Sequence, residues 1–164
     1  MTATEYTHQA PRWADDAMRF AVRLGGSKAD SEDAVQEALL ALWQHRAEVA
    51  ASGGKGYLLG ATYRQMMQLF RRQRLEREHA AELADDEAVE ANVGFDLREA
   101  IDRALQALAP QQRAVLQLRD VEAYSYREIA DTLGLSEDSV QVTLFRARVN
   151  MRKHLKNLGY DNNR

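Results

Sequence analysis

One outward face of a basic helix near the carboxyl end carries side chains suited to contact with DNA. The face is formed by Val142, Phe145, Arg146 and Val149, with Gln141 and Arg152 on its flank. A solvated helix has no use for three apolar residues on its outer side, so we expect this face to bind a partner. The elements around it favour a DNA groove as that partner.

A predicted helix-turn-helix between Tyr124 and Leu158 would present this face. Ser125 and Glu128 have the spacing of a capping box that begins the first helix. Gly134 can adopt the left-handed conformation that ends this helix, and Ser136 can cap the second one. The buried stripes should be formed by Ile129, Ala130 and Leu133 in the first helix and by Val140, Leu144, Ala147, Met151 and Leu155 in the second. The alternative interpretation is a pair of amphipathic helices in an ordinary bundle.

The charges of the chain are unevenly distributed along its 164 residues, although the formal net charge is only −3. Residues 55–77 contain six basic side chains and one acidic side chain, whereas residues 78–96 contain seven acidic side chains and no basic ones. The acidic segment therefore masks a basic helix in the average. Phosphate binding depends on local patches of charge, so the negative net charge does not exclude a nucleic-acid partner. Taken alone, the basic cluster fits a solvated helix end equally well.

Apolar residues at helical spacing and a content of only two prolines predict an all-α fold. One helix should begin near Pro11 and end at the glycines that follow Leu24, and Asp30 or Ser31 should cap the next. Ala34, Val35, Ala38, Leu39, Leu42 and Trp43 of this second helix should face inward. After a loop at residues 46–56, a third helix should run from about Tyr57 to Glu78.

The second half of the chain is expected to form its own helical unit. Asp96 and Glu99 have capping-box spacing, and the helix they begin should turn Ile101, Leu105 and Leu108 inward. Low hydrophobicity and high charge set residues 78–95 apart as an acidic linker. The sequence thus predicts two small helical domains, residues 8–77 and 96–158, joined by this linker.

Residue patterns for catalysis, metal binding or membrane insertion are not found in the sequence. Cysteine is absent, and four well-separated histidines, His8, His45, His79 and His154, form no cluster. The Gly-Gly-Lys-Gly run ending at Gly56 lacks the strand and spacing of a phosphate-binding loop. We therefore expect a binding protein with no enzyme activity, no catalytic residues and no cofactor or metal. Without a signal peptide or an apolar run near 18 residues, a cytoplasmic protein is expected.

Two segments resemble bacterial RNA polymerase sigma factors. The run from Asp30 to Trp43, DSEDAVQEALLALW, resembles their segment that binds core polymerase. Ala107–Ala130 and Leu144–Arg148 resemble their fourth conserved region. The order of these two segments and the short tether between them resemble the arrangement of the extracytoplasmic-function (ECF) group of the sigma-70 family. The resemblance covers residues 8–158. This implies an N-terminal region 2-like bundle and a C-terminal region 4-like helix-turn-helix.

The resemblance implies an alternative sigma factor that binds core RNA polymerase and promoter DNA, with an anti-sigma factor as a further partner. Core polymerase would be bound by Asp33, Gln36, Glu37 and Leu40, with Trp43 either beside them or in the core. The −10 element would be bound by Lys55, Tyr57, Arg64, Gln68, Arg71, Arg72 and Arg74. The −35 element would be bound by Gln141, Val142, Thr143, Phe145 and Arg146, and steadied by Arg119 and Arg127 from outside the recognition helix.

The chain departs from the family pattern at two places. Arg64 and Gln68 stand where an Asn and an Asp are common, and Gln141 to Thr143 follow Val140 where the family commonly has Lys-Ser-Arg. Two customary positive charges are therefore absent, so we expect a distinct promoter sequence and a shallow salt dependence for the C-terminal domain. Arg148 is expected either to contact phosphate or to brace the fold.

Two competing hypotheses remain open from the sequence. One is a stand-alone helix-turn-helix regulator that binds duplex DNA without polymerase, as a dimer on spaced half-sites. The other is a protein-interaction module that binds a regulator and never contacts DNA.

Overall fold

The structure, a computed structural model, describes residues 1–81 and 96–160, and the predicted all-α fold is confirmed within them. The described helices are α1 (Ala3–Arg23), α2 (Lys28–His45), α3 (Gly54–Ala81), α4 (Leu97–Ala107), α5 (Pro110–Asp120), α6 (Tyr126–Leu133) and α7 (Glu137–Asn157). A short 3-10 turn at Ala51–Gly53 precedes α3. None of these helices combines the length and apolar character needed to span a bilayer.

The first helix begins eight residues earlier than predicted, at Ala3 and not near Pro11. The Thr2 hydroxyl accepts a hydrogen bond from the Glu5 amide at 3.1 Å, and the Glu5 carboxylate accepts one from the Thr2 amide at 2.6 Å. This capping box satisfies two amides and sets the first turn upstream of the proline. Pro11 lies inside α1, where it removes a single backbone hydrogen bond.

The ends of the next two helices also differ from the predictions. Ser27 caps α2 by accepting a hydrogen bond from the Asp30 amide at 3.1 Å, whereas Ser31, one of the predicted caps, is buried. The third helix starts at Gly54, ahead of Tyr57, and continues to Ala81. The first residues of the predicted linker are therefore helical, and its remainder, residues 82–95, lies outside the described residues.

A hydrophobic core fills the space between α1, α2 and α3. Its buried side chains include Trp13, Phe20, Leu24, Leu42, Leu58, Leu59 and Met66. The inward positions predicted for α2 are buried at Ala34, Val35, Ala38 and Leu42, but Trp43 is 37% exposed. Trp43 lies in the last turn of α2, where Tyr6 packs edge-on against its ring, with centroids 5.1 Å apart.

The predicted helix-turn-helix is confirmed at each capping position. Ser125 and Glu128 form the capping box of α6, and Gly134 ends this helix with a φ of 69°. Ser136 caps α7 by accepting a hydrogen bond from the Ser139 amide at 3.1 Å. Val140, Leu144 and Ala147 of α7 are buried, as expected from their spacing.

In α4 the buried stripe differs from the prediction. Ala100 and Ala104 are buried, whereas Ile101, predicted to face inward, is 37% exposed. These alanines have the i, i+4 spacing of one helix face, and α4 packs on α7. Small side chains allow two helix backbones to approach closely, which explains why alanines replace the larger residue in this contact.

The two halves share one continuous hydrophobic core instead of standing apart. Buried residues from Trp13 to Ala147 form a single cluster. Contacts between α3 and α6, and between α1 and α5, join the N-terminal helices to the C-terminal ones. The described chain is therefore closed on itself, a property that the sequence alone did not reveal.

Candidate nucleic-acid and polymerase interfaces

The outer face of α2 presents the residues predicted to bind core polymerase. Asp33, Gln36, Glu37 and Leu40 are all exposed, and Leu40 is 51% exposed. Their i, i+3, i+4, i+7 spacing places them on one face, opposite the buried stripe that packs against α1 and α3. The result is an accessible acidic face with an apolar side chain at one end, suited to a protein partner.

Trp43 extends this face by one turn and is held in place by two side chains that the sequence analysis did not single out. The Arg46 guanidinium lies 3.8 Å from the Trp43 ring centroid and donates a hydrogen bond to the Trp43 carbonyl at 2.6 Å. The Tyr6 hydroxyl donates to the Leu39 carbonyl at 3.1 Å. An Arg three residues after a Trp is a signal that could have indicated this cation–π contact.

A basic stripe runs along α3, as the residue spacing predicted. Arg64, Gln68, Arg71 and Arg72 are exposed and lie at i, i+4, i+7, i+8, while Arg74 is exposed on the neighbouring side. Arg71 and Arg74 also line an open cleft of about 1100 Å³ between α3 and the α4–α5 junction. The guanidinium groups of this stripe are accessible to a polyanion.

The structure places Lys55 away from the basic stripe, in an ion-pair cluster. Its Nζ lies 2.9 Å from Asp16 Oδ2 of α1 and 2.6 Å from Glu122 Oε2 in the α5–α6 loop. Partial burial acts to lower the pKa of Lys55, but the hydrogen bonds and charges of Glu122 and Asp16 outweigh this and raise it. In this conformation the Lys55 ammonium is engaged by two carboxylates.

The pKa of Asp16 shifts in the opposite direction. Burial acts to raise it, but hydrogen bonds and charge from Lys55 and Arg19 outweigh burial, so it lies below its usual value of 3.8. Lys55 and Asp16 are therefore both ionised near neutral pH.

Tyr57 borders a crevice between the two halves. The crevice measures about 410 Å³ and lies between the start of α3 and α6, with Tyr57, Arg64, Tyr124 and Thr132 among its lining residues. The predicted −10 residues at the start of α3 thus face the C-terminal helices. Arg64 lines the crevice and also begins the basic stripe, whose other members lie farther along α3 and are exposed.

The outward face of α7 is exposed as predicted. Gln141, Val142, Phe145 and Arg146 are exposed, with Phe145 at 68%, and Thr143 is half-buried. These side chains project opposite the buried stripe of α7, so they are free to enter a groove. An interior packing role for this face is therefore excluded.

The two arginines predicted to steady DNA from outside α7 differ in their surroundings. Arg127 is exposed. Arg119 donates a hydrogen bond to the Tyr124 carbonyl at 2.8 Å and lies 5.0 Å from the Tyr126 ring centroid, so it also fixes the α5–α6 loop. Arg148 pairs with Asp120 at 3.0 Å, which braces α7 against α5.

Comparison with known families fits both halves of the chain. The Sigma-70 region 2 family model matches residues 12–76, and the Sigma-70, region 4 family model matches residues 98–151. The ECF RNA polymerase sigma factor SigL of Mycobacterium tuberculosis is 31% identical over 166 residues, covering 97% of this chain and 90% of SigL. The chain belongs to the ECF family of RNA polymerase sigma factors. Its membership assigns it a role in directing transcription initiation and does not favour a stand-alone regulator.

Other relatives show similar identity. The RNA polymerase sigma-E factor of Streptomyces avermitilis is 31% identical over 153 residues, covering 90% of this chain and 83% of its own length. For the ECF sigma factor SigE of Mycolicibacterium smegmatis, at 30% identity, the alignment covers 87% of this chain and 58% of SigE.

A solved structure shares the fold of this ECF sigma factor. The sigma factor RpoE of Bartonella quintana, determined in complex with the anti-sigma factor NepR, superposes with a TM-score of 0.75 at 20% identity. The match covers 94% of this chain and 98% of RpoE. The helical architecture is therefore that of a known sigma factor.

Proposed function

We propose that this ECF sigma factor binds core RNA polymerase through the outer face of α2 and carries it to promoters with two separate elements. The observation that carries the proposal is the simultaneous exposure of three surfaces, on α2, α3 and α7, in a chain that matches both sigma regions. One chain can then contact the polymerase and two DNA segments.

In this proposal α7 binds the −35 element as duplex DNA. Gln141 can form a bidentate pair with adenine, and Val142 and Phe145 can contact thymine methyl groups. Arg146 and Arg127 supply charge toward base edges or phosphates. Arg119 contributes chiefly by holding the loop that positions α6, because its guanidinium is already bonded to the Tyr124 carbonyl.

The basic stripe of α3 is proposed to bind the −10 element after strand separation. Arg64, Arg71, Arg72 and Arg74 follow the phosphates, and Gln68 offers an amide to an unpaired base. Tyr57 offers a stacking surface, and Lys55 a further positive charge once its ion pairs have opened. Melting is driven by binding of the opened strand, so the factor itself catalyses no reaction.

An anti-sigma factor is proposed as a further partner, in line with the complex formed by the Bartonella protein. Since the polymerase and promoter DNA reside in the bacterial cytoplasm, we also propose that compartment for the factor. Neither statement depends on the residue roles above.

Transcription with purified components tests the proposed function. The factor is mixed with core polymerase and fragmented genomic DNA, and the transcripts are sequenced from their 5′ ends. We expect start sites that core polymerase alone does not use. Absence of both core binding and new transcripts would refute the proposal.

A further inference from the structure

The α3–α5 cleft, the open space between α3 and the α4–α5 junction, contains a buried arginine without an ionic partner. Arg113 of α5 is 8% exposed and lines this cleft. Its Nε donates a hydrogen bond to the Leu108 carbonyl at 3.0 Å, and its Nη1 donates to the Leu24 carbonyl at 2.6 Å. Among the described residues, no carboxylate pairs with Arg113, and its Nη2 has no hydrogen-bond partner although it retains contact with solvent. Neutral oxygen atoms alone therefore offset the guanidinium charge.

The surrounding chain holds this guanidinium in a fixed position. A Cβ built on Gly25 would lie 2.6 Å from Arg113 Nη1, so Gly25 leaves the space that the group occupies. Gln106 accepts a further hydrogen bond from Nη1 at 3.2 Å. Burial lowers the pKa of Arg113, because the charge is removed from water. Arginine nevertheless stays protonated in proteins, so an anion in the cleft would meet a preformed positive partner.

A second buried polar group lines the same cleft. Tyr63 of α3 is 8% exposed, and its hydroxyl has no hydrogen-bond partner among the described residues. Burial raises the pKa of the Tyr63 phenol above its usual value of 10.0, so the hydroxyl is protonated near neutral pH and can donate. Most buried polar groups in proteins have a partner. Two donors with unused capacity at one cleft, on Arg113 and Tyr63, indicate a ligand that carries hydrogen-bond acceptors.

The edge of the cleft is strongly basic. Arg71, Arg74 and Arg77 of α3 line it and are exposed, whereas Glu76 is the sole carboxylate among the described lining residues. Arg74 also lies 3.9 Å from Glu78, but both side chains are exposed and water weakens such a pair. With the buried arginine, four guanidinium groups face one carboxylate. This excess of positive charge selects a ligand with several negative charges.

The floor of the cleft is apolar and partly aromatic. Phe70 and Met67 are half-buried and line the cleft together with Tyr63. Aromatic side chains offer flat surfaces on which a planar ring can stack. The volume of about 1100 Å³ lies at the upper end of the range for small-molecule sites. The cleft therefore has room for a ring system and a chain of charged groups attached to it.

We propose that the α3–α5 cleft is a binding site for a nucleoside polyphosphate, with its base on the aromatic floor and its phosphates on the arginines. Arg113 and the Tyr63 hydroxyl donate to acceptors of the ligand inside the cleft. Arg74 and Arg77 donate to phosphate oxygens at its edge. The site is a property of the free chain and does not depend on the proposed function.

Calorimetric titration of the free, full-length protein tests the site, without divalent metal ions. The ligands are ATP, GTP, inorganic triphosphate and adenosine. We expect at least one nucleotide to bind with a Kd below about 100 µM. Inorganic triphosphate and adenosine should each bind at least ~10-fold more weakly, because each lacks half of the proposed contacts. No saturable binding of either nucleotide up to about 1 mM, or equal affinity for inorganic triphosphate, would overturn the proposal.

Two variants with matched controls locate the binding site. Y63F removes only the hydroxyl and keeps the ring, so nucleotide binding should weaken by about 10-fold at an unchanged Tm. Y126F makes the same change on α6, outside the cleft, and should bind as the wild type does.

R77Q should weaken nucleotide binding by about 5-fold, since it removes one phosphate contact at the edge of the cleft. R12Q carries the same change in charge on α1, where Arg12 lies ~18 Å along the helix from Leu24. If neither Y63F nor R77Q loses more affinity than its control, the nucleotide binds elsewhere and the proposal fails. Because these titrations contain neither polymerase nor promoter DNA, their outcome is separate from that of the transcription experiment.

Discussion

At the residue scale, exposed apolar side chains are the strongest indicators of interfaces in this protein. Leu40 and Phe145 are exposed at 51% and 68%, respectively; Leu40 lies within an acidic helix face, and Phe145 lies beside the exposed Val142 and Val149. Their exposure to water has no benefit for the folded chain by itself. Each therefore lends itself to a test in which binding changes and folding does not.

L40D should weaken the affinity for core polymerase without unfolding the protein. An exposed Leu at a protein interface contributes by burial on binding, so a charge there should cost ~2 kcal/mol, or about 30-fold in Kd. V22D is the control, because Val22 is 43% exposed on α1, outside the proposed surface. Equal losses of affinity, measured by fluorescence anisotropy, would place the polymerase contact elsewhere.

F145A should reduce binding of the −35 element by ~1–3 kcal/mol, the range of a good base contact. The measurement is competition between promoter fragments for the polymerase–sigma complex. Leu97, which is 55% exposed on α4, gives the matched control L97A. If L97A lost as much binding of the −35 element as F145A, the effect would come from removing any exposed apolar side chain and not from a contact at Phe145.

At the element scale, the arginine stripe of α3 and the covered start of the same helix are expected to act at different stages. The stripe is exposed in the closed form, whereas Lys55 is held by Asp16 and Glu122. Initial attraction of DNA can therefore begin at the stripe, and contacts from the first turn of α3 come after opening.

R71Q/R72Q should impair promoter opening while leaving core binding intact. Removing two phosphate contacts weakens binding to the single strand that stabilises the open state. Permanganate reactivity of unpaired thymines is the measurement, and R98Q/R103Q on α4 carries the same change in charge as a control. Normal opening by R71Q/R72Q would support an interaction module that never contacts DNA.

Most helices were predictable because their signals are local. The Ser125–Glu128 box, Gly134 and Ser136 specify the helix-turn-helix within a dozen residues. Two local signals compete at the start of α1: Pro11 is typical of a first turn, but the capping box of Thr2 and Glu5 sets the observed start. Ile101 shares helical spacing with Leu105 and Leu108, which predicts an inward position, whereas the contact of α4 with α7 buries Ala100 and Ala104.

At the whole-molecule scale, the closed arrangement could not be predicted, since it depends on contacts between residues far apart in sequence. Lys55 and Glu122 are 67 positions apart, and Leu24 and Arg113 are 89 positions apart. Local periodicity does not specify such pairs. The same contacts determine which candidate residues are accessible: those on α7 are exposed or half-buried, whereas Lys55 at the start of α3 is held in ion pairs.

The compactness of the free protein should be independent of pH near neutrality in the wild type and dependent on pH in the variant K55Q. The pKa of Lys55 is raised above its usual value of 10.5. The ion pairs of Lys55 therefore stabilise the closed form fully below pH 10.5, and this stabilisation is lost only as the pH rises through the raised pKa. The pKa of Asp16 is lowered below its usual value of 3.8. Its ion pairs therefore stabilise the closed form fully above pH 3.8, and this stabilisation is lost only as the pH falls through the lowered pKa. Compaction of the wild type should therefore be constant between about pH 5 and pH 9.

K55Q removes the cation that bridges Asp16 and Glu122, and it leaves Arg19 paired with Asp16 alone. The repulsion between Asp16 and Glu122 should open the variant at neutral pH, and protonation should restore compaction as the pH falls toward ~4.5. Interdomain fluorescence energy transfer follows this change. A flat profile for K55Q would remove the ion-pair cluster from the closing mechanism.

The central claim is that two domains of one chain bind two separate promoter elements on a shared polymerase. The most direct measurement is transcription from a mapped promoter into which 5 base pairs have been inserted between its upstream elements, a shift of ~17 Å and about half a helical turn. The account predicts that initiation falls to the level of core polymerase alone after the insertion and returns to its original level when the inserted base pairs are removed. Initiation that is indifferent to the insertion would contradict it.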